Sequence, residues 1–175
     1  FGGDVDRMVL WGQSAGAWSV NYYGYAYPSD PIVSGLIADS GGSTVYAGDD
    51  TAHRNFSAVA AQAGCSAASG DDDDDDAAAA AELACMQRVD AATVRALASN
   101  TTGARFGPGA DNVTVFADVA ARARDGRVAR LPAILGVNSR EGSGFASWTD
   151  DEGIDEAGVV EGSKIIVCPT LAEIK

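Results

Sequence analysis

MVLWGQSAGAWSV, residues 8–20, contains an apolar run that ends in glycine and a helical pattern that follows at once. The run, Met8 to Trp11, is short and is bounded by polar residues and glycine, which is typical of a strand buried in a parallel sheet. The helical pattern extends from Ala15 to Tyr23. This stretch therefore predicts a strand, a tight turn and a helix in immediate succession.

Further strands and helices follow along the chain. Short apolar runs predict two more strands, at Gly35 to Ala38 and, after Pro132, at Ala133 to Val137. Apolar spacing, a glycine stop and an aspartate cap predict three more helices, at Thr51 to Ala63, Ala81 to Val89 and Ala91 to Ala98. Strands separated by helices predict the α/β class, with a mostly parallel sheet and flanking helices.

Composition excludes several classes of function. The formal net charge is −13, which argues against nucleic acid, because phosphate backbones are bound by an excess of Lys and Arg. No apolar run approaches the roughly 20 residues that a transmembrane helix needs. The chain starts with Phe1-Gly2-Gly3-Asp4 rather than with Met or a signal peptide, so we expect an internal part of a longer protein. The sequence contains no signal for an oligomeric state.

Cysteines and glycosylation sequons indicate an oxidising destination. The chain has three cysteines, Cys65, Cys85 and Cys168, so at least one lacks a partner within it. Three N-x-S/T sequons begin at Asn55, Asn100 and Asn112. A single sequon occurs often by chance, but three in so short a chain favour a secreted glycoprotein.

Residues 66–81 form a low-complexity insertion of aspartate and alanine, with six consecutive aspartates from Asp71 to Asp76. Carboxylates raise the alternative of a calcium site, but such sites take their ligands at fixed geometry from a turning loop. Adjacent like charges repel one another and stay solvated. We therefore expect a surface insertion and no metal site.

The turn Gly12-Gln13-Ser14-Ala15-Gly16 has the G-x-S-x-G pattern. In a strand-to-helix turn of this kind the serine side chain is lifted out of the sheet, and small flanking residues prevent backbone collision. The N–H of Ala15, at the start of the helix, points toward a developing oxyanion. The pattern indicates a nucleophile at Ser14, and an ordinary structural turn is the alternative.

Several segments of the sequence resemble those of a known protein family. FGGDVDRMVLWGQSAGAWSV resembles the nucleophile region of the type-B carboxylesterases, which include cholinesterases, fungal lipases and the adhesion protein neuroligin. Four later segments are similar to further landmarks of that family, in the family's order: GLIADSGG, ELACMQRV, LPAILGVNSREGSGF and IIVCPTLAEIK. The resemblance implies a partial α/β-hydrolase fold over residues 1–175, from the nucleophile to just beyond the acid.

The resemblance assigns roles to individual residues. Ser14 is the expected nucleophile, Ala15 an oxyanion-hole donor and Glu141 the carboxylate of a catalytic triad. Gly12, Gln13 and Gly16 support the turn. Ser40 is a candidate for a hydrogen bond near the triad, and simple turn chemistry is the alternative. Cys65 and Cys85 are expected to form a disulfide, and two buried thiols are the alternative. A small-molecule or lipid ester is the implied substrate, and no cofactor is implied.

Two parts of the family's machinery are not found in the sequence. The family's catalytic histidine lies beyond the acid and its glycine-rich oxyanion loop precedes the nucleophile, whereas the one histidine here, His53, is expected at the surface. We therefore expect a fragment of an ester hydrolase that is inactive by itself. The alternative is a non-catalytic adhesion relative on the same fold. The interval from Glu141 to Cys168 is shorter than is usual in the family and shows little apolar periodicity.

Overall fold

The structure, a computed structural model, describes residues 2–29, 31–43, 53–66, 75–101, 103–104 and 106–173. The chain divides into two compact units, Phe1–Val45 with Ala110–Lys175, and Tyr46–Gly109. The first of these units contains the parallel sheet.

The first unit is built on a three-stranded parallel sheet in the order β1-β2-β3. Its strands are β1 (Val9–Gln13), β2 (Gly35–Asp39) and β3 (Ala133–Gly136). The described residues of this unit also form three α-helices and a small antiparallel hairpin: α1 (Ala15–Ala26), α5 (Val119–Arg124), α6 (Glu156–Glu173), β4 (Trp148–Thr149) and β5 (Gly153–Ile154). The predicted α/β class with a parallel sheet is confirmed.

The core of this unit lies between α1 and one face of the sheet. Ala17 and Val20 of α1 and Ala38 of β2 are buried, and three leucines pack against them: Leu10, Leu36 and Leu135. Leu10 and Leu36 stand opposite each other in the β1–β2 register. The small side chains of Ala17 and Ala38 let the helix approach the sheet closely, so the turn between β1 and α1 has little freedom.

The described residues of the second unit include three helices, and a disulfide links the segment after the first helix to the second. These are α2 (Arg54–Gln62), α3 (Asp75–Met86) and α4 (Ala91–Asn100), and the predicted cap of α4 is present because Asp90 accepts a hydrogen bond from the N–H of Thr93 at 3.0 Å. Cys65 and Cys85 are bonded, which confirms the expected disulfide. Closing a loop of this length stabilises the folded state by about 3 kcal/mol through chain entropy.

The boundaries of α3 differ from the prediction of Ala81 to Val89. The helix begins six residues earlier, at Asp75, and ends at Met86. Alanine has the highest helix propensity and aspartate is favoured at a helix N-terminus, so the end of the Asp/Ala stretch continues the helix rather than forming a loop. The helix predicted from Thr51 starts at Arg54. Residues 51–52 and 67–74, including most of the aspartate run, lie outside the described residues.

Within the described parts of the chain, none of the helices combines the length and the apolar character needed to cross a membrane.

Candidate active site

The carboxyl ends of the three parallel strands place the candidate residues along one edge of the sheet. Ser14 follows β1 directly, Ser40 follows β2 directly, and Glu141 comes five residues after the last residue of β3. Neighbouring strands lie about 4.8 Å apart, so the ends of β1 and β3 are separated by about 10 Å across β2. Because β2 lies between these two strand ends, a group that joins Ser14 and Glu141 would lie beyond the carboxyl end of β2.

Ser14 sits in a backbone conformation that non-glycine residues rarely adopt. Its φ is 55° and its ψ is −120°, and such conformations persist only where the surrounding structure enforces them. Here the N–H of Ser14 donates to the carbonyl of Asp39 at 2.9 Å, and its carbonyl accepts from the N–H of Trp18 at 3.1 Å. The residue is exposed. The turn is therefore anchored to β2 on one side and to α1 on the other, with the serine facing outward.

The two glycines of the motif have different roles. A Cβ on Gly12 would lie 2.3 Å from the carbonyl carbon and oxygen of Gly16 and 2.9 Å from the nitrogen of Ala17. Strand and helix backbones thus touch at Gly12. A Cβ on Gly16 would meet no atom of the described residues within 4 Å. The first glycine is required by close approach, and the second is not.

Gly12→Ala and Gly16→Ala test this difference in the full-length protein. We expect Gly12→Ala to lower the free energy of unfolding by about 3 kcal/mol or more, because backbone atoms cannot move aside as a flexible side chain can. Gly16→Ala, inside the first turn of α1, is expected to change it by less than about 0.5 kcal/mol. Urea unfolding of both variants measures the two values. Equal losses would show that the contact at Gly12 does not set the turn.

Ala15 and Gln13 flank the serine, and both are exposed. Ala15 is the first residue of α1, so its N–H belongs to the group that has no acceptor within the helix. The partial positive charge of a helix N-terminus adds to that N–H. A negative charge that develops beside Ser14 would meet a donor already in place.

Glu141 is half-buried in a 3₁₀ turn, Glu141–Gly144, called the acid turn below. One oxygen of its carboxylate accepts from the backbone N–H of Asn138 at 2.6 Å and from the Asn138 side chain at 3.3 Å. Burial raises the pKa of Glu141, but hydrogen bonds from the Ser40 hydroxyl and from both Asn138 donors outweigh it, and the net pKa is lowered. The carboxylate therefore stays charged at neutral and mildly acidic pH.

Ser40 and Asn138 join the ends of β2 and β3 around that carboxylate. Ser40 is buried, has a φ of 59°, and donates its N–H to the carbonyl of Gly136 at 2.7 Å. The Asn138 amide also donates to the Ser40 hydroxyl at 3.3 Å. Sequence reasoning missed Asn138. Its place three residues before Glu141, at the end of a strand, was the available signal, since asparagine in such turns bonds to nearby groups.

The interval between the acid turn and Cys168 contains the β4–β5 hairpin and the first part of α6, although its sequence showed little apolar periodicity. Among the described side chains of this helix, the buried ones are Val159, Ile166 and Thr170, which share one face, whereas Val160, Ile165 and Leu171 are exposed. Apolar side chains on both faces obscure the period that a one-sided helix would show. The buried face packs against the acid turn, so this interval supplies the support beneath Glu141.

The other predicted residues are mostly exposed, and several of them belong to the second unit. His53 is exposed at the N-terminus of α2, in the second unit, as the sequence predicted. Asn100 and Asn112 are exposed and Asn55 is half-buried; glycosylation at the three positions stays a prediction. Cys168 is a free, exposed cysteine.

Comparison with known proteins decides the family. Residues 1–166 match the model of the carboxylesterase family. This chain belongs to the carboxylesterase family. The resemblance noted in the sequence is thereby confirmed, and the sheet described above is part of that family's α/β fold.

Three relatives within this similarity are fungal proteins. The chain is 42% identical to chlorogenic acid esterase of Aspergillus niger over 178 residues, which cover 100% of this chain and 33% of the relative. It is 34% identical to secreted lipase 5 of Gibberella zeae, over 85% of the chain and 29% of the relative. It is 28% identical to lipase 4 of Diutina rugosa, over 83% of the chain and 28% of the relative. The chain spans about a third of the length of the curated relatives it matches.

The length of the first of these alignments bears on the interval between Glu141 and Cys168. All of this 175-residue chain aligns with the Aspergillus niger esterase over 178 positions. So small a difference leaves no room for a long segment of the relative that this chain lacks. The interval is therefore not shortened against this carboxylesterase, contrary to the expectation from the sequence.

Proposed function

We propose that the whole protein is a serine carboxylic-ester hydrolase that works through an acyl-enzyme. The observation that carries the proposal is the turn at Ser14: a serine with a φ of 55°, exposed, and fixed between β1, β2 and α1. Strain of about 1–3 kcal/mol is retained at such a position chiefly where a side chain must be presented. The family match and the esterase and lipase relatives agree with this role.

The proposed reaction uses three groups of this chain. The Ser14 hydroxyl oxygen attacks the carbonyl carbon of the ester as its proton passes to a base, and the N–H of Ala15 donates to the oxyanion that forms. The base then protonates the departing alcohol, and the acyl group stays on Ser14 until water, activated by the same base, releases the acid. Glu141, held as a carboxylate, would orient the base and stabilise its protonated form.

The base in this proposal is a histidine from the part of the protein outside residues 1–175. The only histidine of the chain, His53, belongs to the second unit and is exposed there. In the proposed arrangement an imidazole lies between the side chains of Ser14 and Glu141, beyond the carboxyl ends of the strands. We accordingly propose that residues 1–175 alone do not turn over an ester.

The names of the relatives support a proposal for the substrate class. One relative is named for chlorogenic acid and two for lipids, so we propose a small-molecule or lipid ester, with no metal or organic cofactor. A secreted relative, the disulfide and the three sequons favour an extracellular protein. A substrate panel that contains chlorogenic acid and long-chain acyl esters separates the two ester types.

Fluorophosphonate labelling of the full-length protein tests the proposal. Activated serines react with this probe, so we expect one probe per molecule, on the peptide that contains Ser14, and parallel loss of esterase activity. A folded full-length protein that takes up no probe and cleaves no ester of the panel would instead be a non-catalytic relative, and the proposal would be wrong.

A further inference from the structure

We propose that Ser163, on α6, is a positioning residue for the acid Glu141, and this rests on the function proposed above. The acid turn and α6 meet through a hydrogen bond in which the N–H of Gly142 donates to the Ser163 hydroxyl at 2.8 Å. The same hydroxyl donates to the carbonyl of Val159 at 2.8 Å. A serine hydroxyl has one donor and two acceptor positions, so both bonds form at once.

The backbones of the acid turn and of α6 are in direct contact beside this hydrogen bond. A Cβ on Gly142 would lie 2.0 Å from the carbonyl oxygen of Val159 and 2.7 Å from the nitrogen of Ser163, and a Cβ on Gly162 would lie 3.0 Å from the Cα of Gly142. The acid turn therefore rests directly on the backbone of α6. Ser163 is half-buried and its side chain is short enough to reach Gly142 without separating the two backbones.

The bond acts on the acid through one peptide group. The N–H of Gly142 belongs to the peptide that joins Glu141 to Gly142, so fixing that N–H fixes the plane that starts at the Cα of Glu141. The carboxylate is held at its other end by Asn138 and Ser40. Without the bond to Ser163, the backbone of Glu141 is no longer fixed on this side. The buried N–H of Gly142 then lacks its acceptor, which is unfavourable.

A second link between the two elements is weaker. Arg140, directly before the acid turn, pairs with Glu156 of α6 at 2.9 Å, but both side chains are more than half exposed. Exposed ion pairs are screened by water and salt and contribute little. The half-buried, backbone-to-hydroxyl bond at Ser163 is therefore the contact that we assign to positioning.

Ser163→Ala in the full-length protein is the decisive change. We expect kcat for ester hydrolysis to fall about tenfold with KM changed less than about twofold, because only the alignment of the acid is lost. A carboxylate raises the pKa of the imidazole it contacts, so a loosened Glu141 is expected to move the acidic limb of the pH profile of kcat/KM downward by about half a pH unit. Ser163→Thr keeps the hydroxyl and is expected to stay within about threefold of the wild type.

Thr170→Val is the matched control on the same helix. Thr170 is 1% exposed and its hydroxyl donates to the carbonyl of Ile166 at 2.9 Å, as Ser163 does to Val159, but Thr170 does not bond the acid turn. We expect this variant to lower Tm while its kcat and pH profile stay those of the wild type.

The outcomes separate this inference from the function on which it rests. If Ser163→Ala lowers Tm as Thr170→Val does but keeps the wild-type kcat and acidic limb, Ser163 is only structural and the inference is overturned. If Ser163→Ala does not fold, Ser163→Cys replaces it. A kcat that falls in the order wild type, Ser163→Thr, Ser163→Cys supports the inference, and equal kcat values contradict it. A wild type that cleaves no ester and takes no label at Ser14 overturns the proposed function itself.

Discussion

Replacement of Ser14 by alanine is expected to lower kcat for ester hydrolysis by about 10⁶-fold in the full-length protein, leaving the fold intact. The hydroxyl oxygen is the atom that forms the acyl-enzyme, and single losses of a serine nucleophile have effects of about this size. Ala at this position keeps the backbone bonds of residue 14 to Asp39 and Trp18. Steady-state hydrolysis of the best ester of the panel measures the change.

A second serine, away from the nucleophile turn, provides the control for removing a hydroxyl group. Ser147 is exposed in the same unit, between the acid turn and β4, and Ser147→Ala is expected to keep kcat within about twofold. A Ser14→Ala variant that hydrolyses esters within about tenfold of the wild type would mean that another group attacks the substrate.

Replacement of Glu141 by glutamine is expected to lower kcat by about 10⁴-fold. Glutamine keeps the shape of the side chain and accepts a hydrogen bond from Asn138, but it has no charge to stabilise the protonated base and it favours the wrong tautomer. The measurement is kcat between about pH 6 and 9, because a missing carboxylate cannot be restored by raising the pH.

Glu161 of α6 provides the control for that loss of charge. It is exposed and pairs with Lys164 at 2.6 Å on the surface of the helix, so Glu161→Gln removes the same charge without touching the acid turn. We expect its kcat to lie within about twofold of the wild type. If the two variants lose activity equally, the effect is one of net charge and Glu141 is not the acid.

Local sequence predicted those parts of the fold that depend on neighbouring residues. The apolar run before Gly12, the helix after Ser14 and the Asp90 cap of α4 each rest on contacts within a few positions, and all three are present. The extent of α3 was missed because the aspartate and alanine stretch was interpreted only as a solvated insertion. Alanine's helix propensity is a local signal that would have extended that helix.

The surroundings of Glu141 were harder to predict, because they depend on contacts between distant parts of the chain. Ser40 and Asn138 are 98 positions apart, and Gly142 and Ser163 are 21 positions apart. Nothing in the pattern around either serine shows which carbonyl or amide it will meet. The resemblance to a family supplied Glu141 and Ser40 as candidates, and only the folded chain showed the helix beneath the acid turn.

The contact between Gly142 and α6 has a consequence for protein engineering. The loop that bears Glu141 does not hold its conformation by itself, because it packs against the backbone of another segment. Transplanting residues 137–144 into a foreign hydrolase scaffold would require residues 156–163 to travel with them. A chimera that borrows the loop alone should display its carboxylate in many orientations instead of one.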